Sequence, residues 1–429
     1  MTHPLKKMIE KREAGNLVGI PSYCTANEFV LEEALIRAKE SGNEVLIEAT
    51  PNQVNQFGGY SGMTPADYKN WIYKIAEKVG TPRELIILGG DHLGPLVWRD
   101  EDEMTAMENA KKLVYDFAAA GYQKIHLDTS MRVASDPEIL PTDTIAKRGV
   151  VLYCECMKAY SKLKESDPNA LKPVFIIGSE VPIPGGATDV KDSLAVTEVA
   201  DFENTVKTYS DAFAEAGIPD AMDDVIGIVV QPGVEHGDSQ VFYYNSEAAK
   251  NLTDALKTHK GLVFEGHTTD YQSLQCLKDM CRDGIAILKV GPSLTNAYRE
   301  ALFILAEIEK ELIEPGDQSN FIEICDEVML ADPSNWESHY HGSEKEIALA
   351  RKYSYSNRIR YYMGDPKIMA AREKLFANLR EHEIPMNMLH QFMPIQYQQI
   401  VDGDLTPDPK DLTMSQIAEV MKIYESATH

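Results

Sequence analysis

No run of about 18 consecutive apolar residues occurs anywhere in the 429-residue chain, which excludes a helical membrane span as an expectation. The opening stretch MTHPLKKMIEKREAG lacks the apolar core of a secretory signal. The six cysteines, Cys24, Cys154, Cys156, Cys276, Cys281 and Cys325, form no CxxC pair. Together these absences predict a soluble protein of a reducing cytoplasm. Basic residues are scarce as well: Lys plus Arg number 42 against 67 Asp plus Glu, a net charge of −25. No nucleic-acid partner is expected, because phosphate backbones need a basic surface, although a local basic pocket for one small anion is compatible with the balance. The chain also lacks the Gly-rich first turn and the topological switch that a doubly wound open sheet would usually carry.

What is present is alternation. Short β-branched runs are separated by longer amphipathic stretches, the pattern of parallel strands joined by covering helices. Eight strands are read at Leu17–Cys24, Glu44–Thr50, Glu84–His92, Lys124–Ser130, Val174–Glu180, Val225–Gly233, Leu262–His267 and Ala286–Gly291. Eight is the number that closes a (β/α)₈ TIM barrel. The intervening helices carry their own stop signals: NEFVLEEALIRAKESG begins at a capping Asn27 and ends at Gly42, and DFENTVKTYSDAFAEAG ends at Gly217. The last barrel helix runs out near Gly316, so residues 1–316 are expected to form the barrel. Residues 317–429, rich in Tyr, Met, Pro and charge, are expected to form a helical C-terminal extension packed on it, as a lid or a homo-oligomer contact.

In such a barrel the carboxyl ends of the strands feed the loops that build the site. Those ends hold Glu48 with Asn52 and Gln53, Asp91 and His92, Asp128, Glu180, Gln231 leading to His236, Glu265 and His267, and Lys289. His92, His236 and His267 follow three different strands and are expected to converge on one cation, although each also fits a hydrogen-bonded loop histidine. Asp91 and His92 point to opposite sides of a strict strand, yet both reach the site once the strand has ended. Asp91 is either a proton acceptor or a group that orients a metal ligand. Three Gly-containing stretches, Gly58–Gly62, Pro184–Gly186 and the KVGPSLT of Lys289–Thr295, follow strands where backbone amides can hold an anion. The last lies after the eighth strand, the usual phosphate position of the fold, and adds Lys289, Ser293 and Thr295. Arg358 and Arg360 in SNRIRYY either close over a phosphate as planar forks or form a solvated face.

The strings LIEATPNQVNQFGGYSGMTPADY, ILGGDHLGP, KIHLDTSM, GSEVPIPGG, VVQPGVEHG, HTTDYQ and ILKVGPSLTNAYREA occur in this order, followed by YSYSNRIRYY in the tail. In them the chain resembles the Z-type subunit family of class II D-tagatose-1,6-bisphosphate aldolase, a relative of the zinc-dependent class II aldolases. The resemblance implies a divalent metal, Zn²⁺ first, with Mn²⁺, Co²⁺ and Ni²⁺ as alternatives. It implies Asp91 as a catalytic acid–base group and His92 as a ligand. His236 and His267 would be the further ligands, with Glu265 counted beside them because it occupies the strand-end position two residues before His267.

Two activities follow from the resemblance. One is metal-dependent 4-epimerisation of a ketohexose phosphate, D-tagatose 6-phosphate or D-fructose 6-phosphate, by retro-aldol cleavage and re-formation of C3–C4. The other is a non-catalytic accessory role beside a separate catalytic aldolase subunit in galactitol or N-acetylgalactosamine catabolism. For the first, Asp91 takes the C4 hydroxyl proton and Glu180 is its partner. Asn52, Gln53, Asp128 and Gln231 orient the sugar, and Lys289, Ser293, Thr295, Arg358 and Arg360 hold phosphate. A sugar-binding scaffold without turnover is the third reading.

Overall fold

Runs such as VLIEA, VIGIVV and IAILKV are buried along their whole length, as strands covered on both faces must be. The computed structural model describes residues 2–179 and 195–429. In chain order its strands are β1 (Ile20–Cys24), β2 (Val45–Ala49), β3 (Ile86–Leu93), β4 (Lys124–Leu127) and β5 (Val174–Ile177), then β6 (Val225–Val230), β7 (Glu235–His236), β8 (Val241–Phe242), β9 (Val263–Gly266) and β10 (Ile285–Val290). Eight of them, β1 to β6 with β9 and β10, close a parallel barrel in which β1 pairs with β10. This is the (β/α)₈ architecture expected from the alternation. The two-residue arms β7 and β8 form a separate antiparallel hairpin in the loop after β6, which the sequence did not announce.

Local signals act where they were read. The Asn27 side chain accepts hydrogen bonds from the amides of Phe29 and Val30, and Gly42 ends the same helix in the left-handed region at φ 70°. The barrel helices end with Pro292–Leu312, and helices continue from Phe321–Ala331 to Pro409–Thr428. The last of these returns to pack against Glu28–Ser41, Leu274–Arg282 and Pro292–Leu312, and Tyr424 Oη donates to the Thr269 carbonyl at 2.5 Å. Among the described residues no helix is long and apolar enough to cross a membrane.

The amino end of the barrel is closed by the opening helix Pro4–Glu13. Its Leu5, Met8 and Ile9 join Ile20, Leu46, Ile87, Val174 and Ile226 in one buried cluster. His3 caps this helix with both ring nitrogens engaged: Nδ1 accepts from the Leu5 amide at 3.1 Å, and Nε2 donates to the Gln123 carbonyl at 3.0 Å. That arrangement requires the neutral imidazole, and burial pushes its pKa from the usual 6.5 down to about 4. A lowered histidine pKa stabilises the fold fully above pH 6.5, and the contribution drains as pH falls towards 4. We predict that the wild-type chain loses up to about 3 kcal/mol through this group over that window. His3→Asn, which keeps a capping side chain without a titrating ring, should show a flatter melting temperature between pH 7.5 and pH 5 than the wild type. Parallel pH profiles for the two proteins would reject the assignment.

Candidate active site

The site begins with an irregularity in β3. Its pairing with β4 slips between Gly90 and Leu93, where three steps along β3 match two along β4, and His92 adopts φ 51°. A bulge and a left-handed residue together turn two consecutive side chains to the same side. The expectation that Asp91 and His92 reach the site because the strand has ended is therefore corrected: the strand continues to Leu93, and the bulge re-aims them. A non-glycine residue in this region costs about 1–3 kcal/mol, a strain that persists only where the surroundings impose it.

Asp91, His92, His126 and His267 are all buried, and each offers a donor atom within 4.8 Å of the others. The three imidazole centroids are 4.7–5.2 Å apart. Each ring is held by a carboxylate. His92 Nδ1 lies 2.8 Å from Asp128 Oδ2, His126 Nδ1 2.9 Å from Asp91 Oδ1, and His267 Nε2 2.9 Å from Glu265 Oε1. A carboxylate only accepts, so these nitrogens carry the protons, and in the neutral ring the opposite nitrogen keeps its lone pair. The His92 amide also lies 3.1 Å from His126 Nδ1, but the charge-assisted bond to Asp91 is the stronger claim on that nitrogen. His126 Nε2 is buried with no hydrogen-bond partner among the described residues. Three carboxylate-oriented imidazoles, one with an orphaned lone pair, are the donor set that a divalent cation such as Zn²⁺ takes.

Burial alone would raise the carboxyl pKa values here. Nearby histidine charge and hydrogen bonds outweigh it, holding Asp91 well below the usual range and Asp128 at about 2. Asp91 is thus ionised. Lys289 Nζ lies 2.9 Å from Asp91 Oδ2 and also pairs with Glu48, and burial lowers its pKa to about 7. Cys24 lines the same site, but burial pushes its thiol up to about 12, so it is inert.

Above the cluster lies a cavity of about 470 Å³, lined among others by Asn52, Gln53, His267, Thr295 and Arg360. Several expected residues sit elsewhere. His236 is on the β7 arm with its ring centroid 5.3 Å from Tyr271, and neither ring nitrogen has a hydrogen-bond partner among the described residues. It lies outside the donor group because the turn after β6 carries the chain into the hairpin, and Gln231 builds that turn by accepting from the amides of Gly233 and Val234. Glu265 stands beneath His267 as its hydrogen-bond partner and not within the donor group. Arg358 donates to the Asn335 carbonyl and lies off the cavity. Glu180 and the Pro184–Gly186 stretch fall outside the described residues.

The phosphate cradle after β10 is already filled from within. Asp270 Oδ1 accepts from the Gly291 amide at 3.0 Å, the Ser293 amide at 2.8 Å and Ser293 Oγ at 2.8 Å. Ser293 is therefore committed to Asp270. Thr295 Oγ1 accepts from Asn357 and donates to the Pro292 carbonyl. Positive charge reaches the cavity instead from the C-terminal extension, through Arg360 and through Arg372, which sequence reasoning missed. Lys124, His126 and Asp270 were missed too, whereas Glu48 is one of the strand-end groups read from the sequence. His126 carried a signal: it alternates with Lys124 along β4 and with Asp128 just beyond its end, and so shares their inward face.

Comparison with known proteins agrees across the chain. A family model described as D-tagatose-1,6-bisphosphate aldolase subunit GatZ/KbaZ-like matches residues 5–429. The D-tagatose-1,6-bisphosphate aldolase subunits GatZ of Salmonella dublin and of Salmonella heidelberg (strain SL476) are each 44% identical over 420 residues, covering 98% of both chains. A crystal structure described as a probable tagatose 6 phosphate kinase from Sinorhizobium meliloti 1021 is 41% identical. It covers 95% of this chain and 100% of its own, with a TM-score of 0.87.

Gly94 tests the packing that holds the site. A Cβ there would lie 1.6 Å from the Asp128 carbonyl oxygen, while one at Gly316 would meet open space. We predict that Gly94→Ala, by forcing the end of β4 and Asp128 away from His92, costs about 1–3 kcal/mol or more, and Gly316→Ala under about 0.5 kcal/mol. Equal melting temperatures for the two variants would contradict this.

Proposed function

The chain belongs to the D-tagatose-1,6-bisphosphate aldolase subunit GatZ/KbaZ-like family, and on that premise we propose that it is a subunit of a tagatose-bisphosphate aldolase that keeps a metal-holding, retro-aldol-competent site of its own. The observation that carries the proposal is the set of three buried imidazoles, each oriented by a carboxylate, under an open cavity. A subunit that contributed only a docking surface would have no use for these desolvated charges, whose burial opposes folding. The names of the relatives converge on tagatose phosphates, which supports a ketohexose phosphate as the ligand class.

The Mechanism follows from the residues. His92, His126 and His267 would hold a divalent cation, which would supply Lewis acidity towards a sugar carbonyl. The hydrogen at C4 is not acidic, because C4 is β to the C2 carbonyl. Asp91 takes the proton of the C4 hydroxyl instead; C4 becomes an aldehyde, and the electron pair of the broken C3–C4 bond passes into an enediolate over C2 and C3. Lys289 beside Asp91 balances its charge. Arg360 and Arg372 face the phosphate, while Asn52 and Gln53 orient hydroxyls. Delivery of a proton to C3, matching the one taken from the C4 hydroxyl, and release of the two fragments is the aldolase reaction. Recombination after the aldehyde turns its other face is 4-epimerisation of tagatose 6-phosphate or fructose 6-phosphate, the second reading, which the intact Asp91 and histidine cluster favours. All six cysteines are free thiols, consistent with a cytoplasmic setting.

The test uses purified full-length chain with Zn²⁺, with and without EDTA. Triose phosphate formed from tagatose 1,6-bisphosphate only when a catalytic aldolase subunit is added supports the subunit reading. Tagatose 6-phosphate formed from fructose 6-phosphate by the chain alone supports the epimerase. Neither product, with or without the partner, would sink both. In whichever assay is active, Asp91→Asn should lower kcat by about 10²–10⁴-fold. Arg360→Met should raise KM for the phosphorylated sugar about tenfold or more.

A further inference from the structure

Beneath the donor cluster the barrel interior holds a second set of charges. Lys124 Nζ lies 2.8 Å from Glu48 Oε1 and 2.5 Å from Glu265 Oε2, with all three side chains fully buried. Glu265 uses its other oxygen on His267, and Glu48 uses its other oxygen on Lys289 and on Ser22 Oγ at 2.7 Å. Lys289 in turn reaches Asp91. The sequence of contacts Asp91, Lys289, Glu48, Lys124, Glu265, His267 therefore runs under the site from one side of the cluster to the other. Space for it is made in β3: a Cβ on Gly89 would lie 2.3 Å from Glu48 Oε1.

A buried ion-pair chain is weak evidence for stability, because desolvation opposes the Coulomb gain. Its geometry has a different consequence. Glu265 fixes the His267 tautomer only while its carboxylate is held in one orientation, and Lys124 is what holds it. We infer that Lys124 is a positioning residue for cation binding, acting through Glu265 on His267. The inference rests on the metal-holding reading of the cluster and deepens it: a lysine that touches neither cation nor sugar sets how well the third imidazole is presented.

Zn²⁺ affinity of the metal-free, full-length protein, measured by competition with a chromogenic chelator, is the readout, with the visible spectrum of the Co²⁺ form as a second. Lys124→Met should weaken Zn²⁺ binding about 10–100-fold, in the range of lost outer-sphere partners. His267→Ala should weaken it at least as much, and Lys124→Met added to His267→Ala should cost nothing further. A purely structural role would instead add to the His267→Ala loss. Should Lys124→Met fail to fold, Lys124→Met with Glu48→Gln removes one charge of each sign and should show the same loss and the same non-additivity. Wild-type Zn²⁺ affinity in the folded single or paired variant, or an equal loss in the His267→Ala background, overturns the inference. If the wild type binds neither Zn²⁺ nor Co²⁺, the metal reading falls, and the positioning role with it.

Discussion

Charge in a barrel interior must be balanced where it stands, because neither water nor side-chain freedom is there to relax it. The Glu48–Lys124–Glu265 triad has no solvent contact at all, and its two carboxylates are met by Lys124 between them and by Lys289 and His267 at its ends. Its consequences spread upward. Glu265 is pulled to a pKa of about 2 against its burial, chiefly by the Lys124 charge and then by the His267 hydrogen bond, and so remains a pure acceptor for His267. Glu48 engages Lys289, which stands against Asp91. The imidazole cluster rests on this layer, and the apolar layer below it is sealed by Leu5, Met8 and Ile9 of the opening helix. A polar band between two demands, a dry core and an open cavity, explains why so many ionisable side chains lie on the inward face of these strands.

The cavity is completed by the C-terminal extension, which contributes chemistry as well as cover. Asp238, just past the β7 arm, accepts hydrogen bonds from Ser354 Oγ at 2.6 Å and Ser356 Oγ at 3.0 Å. Asn357, in the left-handed region at φ 47°, donates to Thr295. These contacts tie the turn before Arg360 to the barrel, and Arg360 is further fixed by the Ser356 and Asn357 carbonyls and by Tyr361 Oη. Arg372 is steadied by Tyr298 Oη and by the face of Phe29. Asp270 occupies the amides after β10, so the positive charge that the extension brings to the cavity lining is that of the Arg360 and Arg372 guanidinium groups.

Much of this was legible in the residues. Periodicity, Asn27 and Gly42 placed strands and helices to within a few positions, because hydrophobic alternation and capping are local physics. The ordered motifs pointed to the family, and strand ends pointed to Asp91, His92 and His267. The rest failed for specific reasons. His126 lies inside a strand, where a search of strand ends does not look. Arg372 lies on a helix of the extension, far in sequence from anything it faces. His236 follows a strand, as a ligand should, but a hairpin of two-residue arms carries it aside. Ser293 has the right residue type in the right loop, and its hydrogen bonds are taken by Asp270, 23 positions earlier.

The sequence by itself determined that eight parallel strands close a barrel and that acids and histidines gather at its carboxyl end, since both follow from patterns read within a few residues. Only the tertiary structure decided which of those groups meet. Convergence depends on strand register, on a bulge that turns Asp91 and His92 to one side, and, for His92 and His126, on carboxylate partners 36 and 35 residues away that accept the imidazole proton. Those are long-range pairings, set by the closure of the barrel, and no local pattern encodes them.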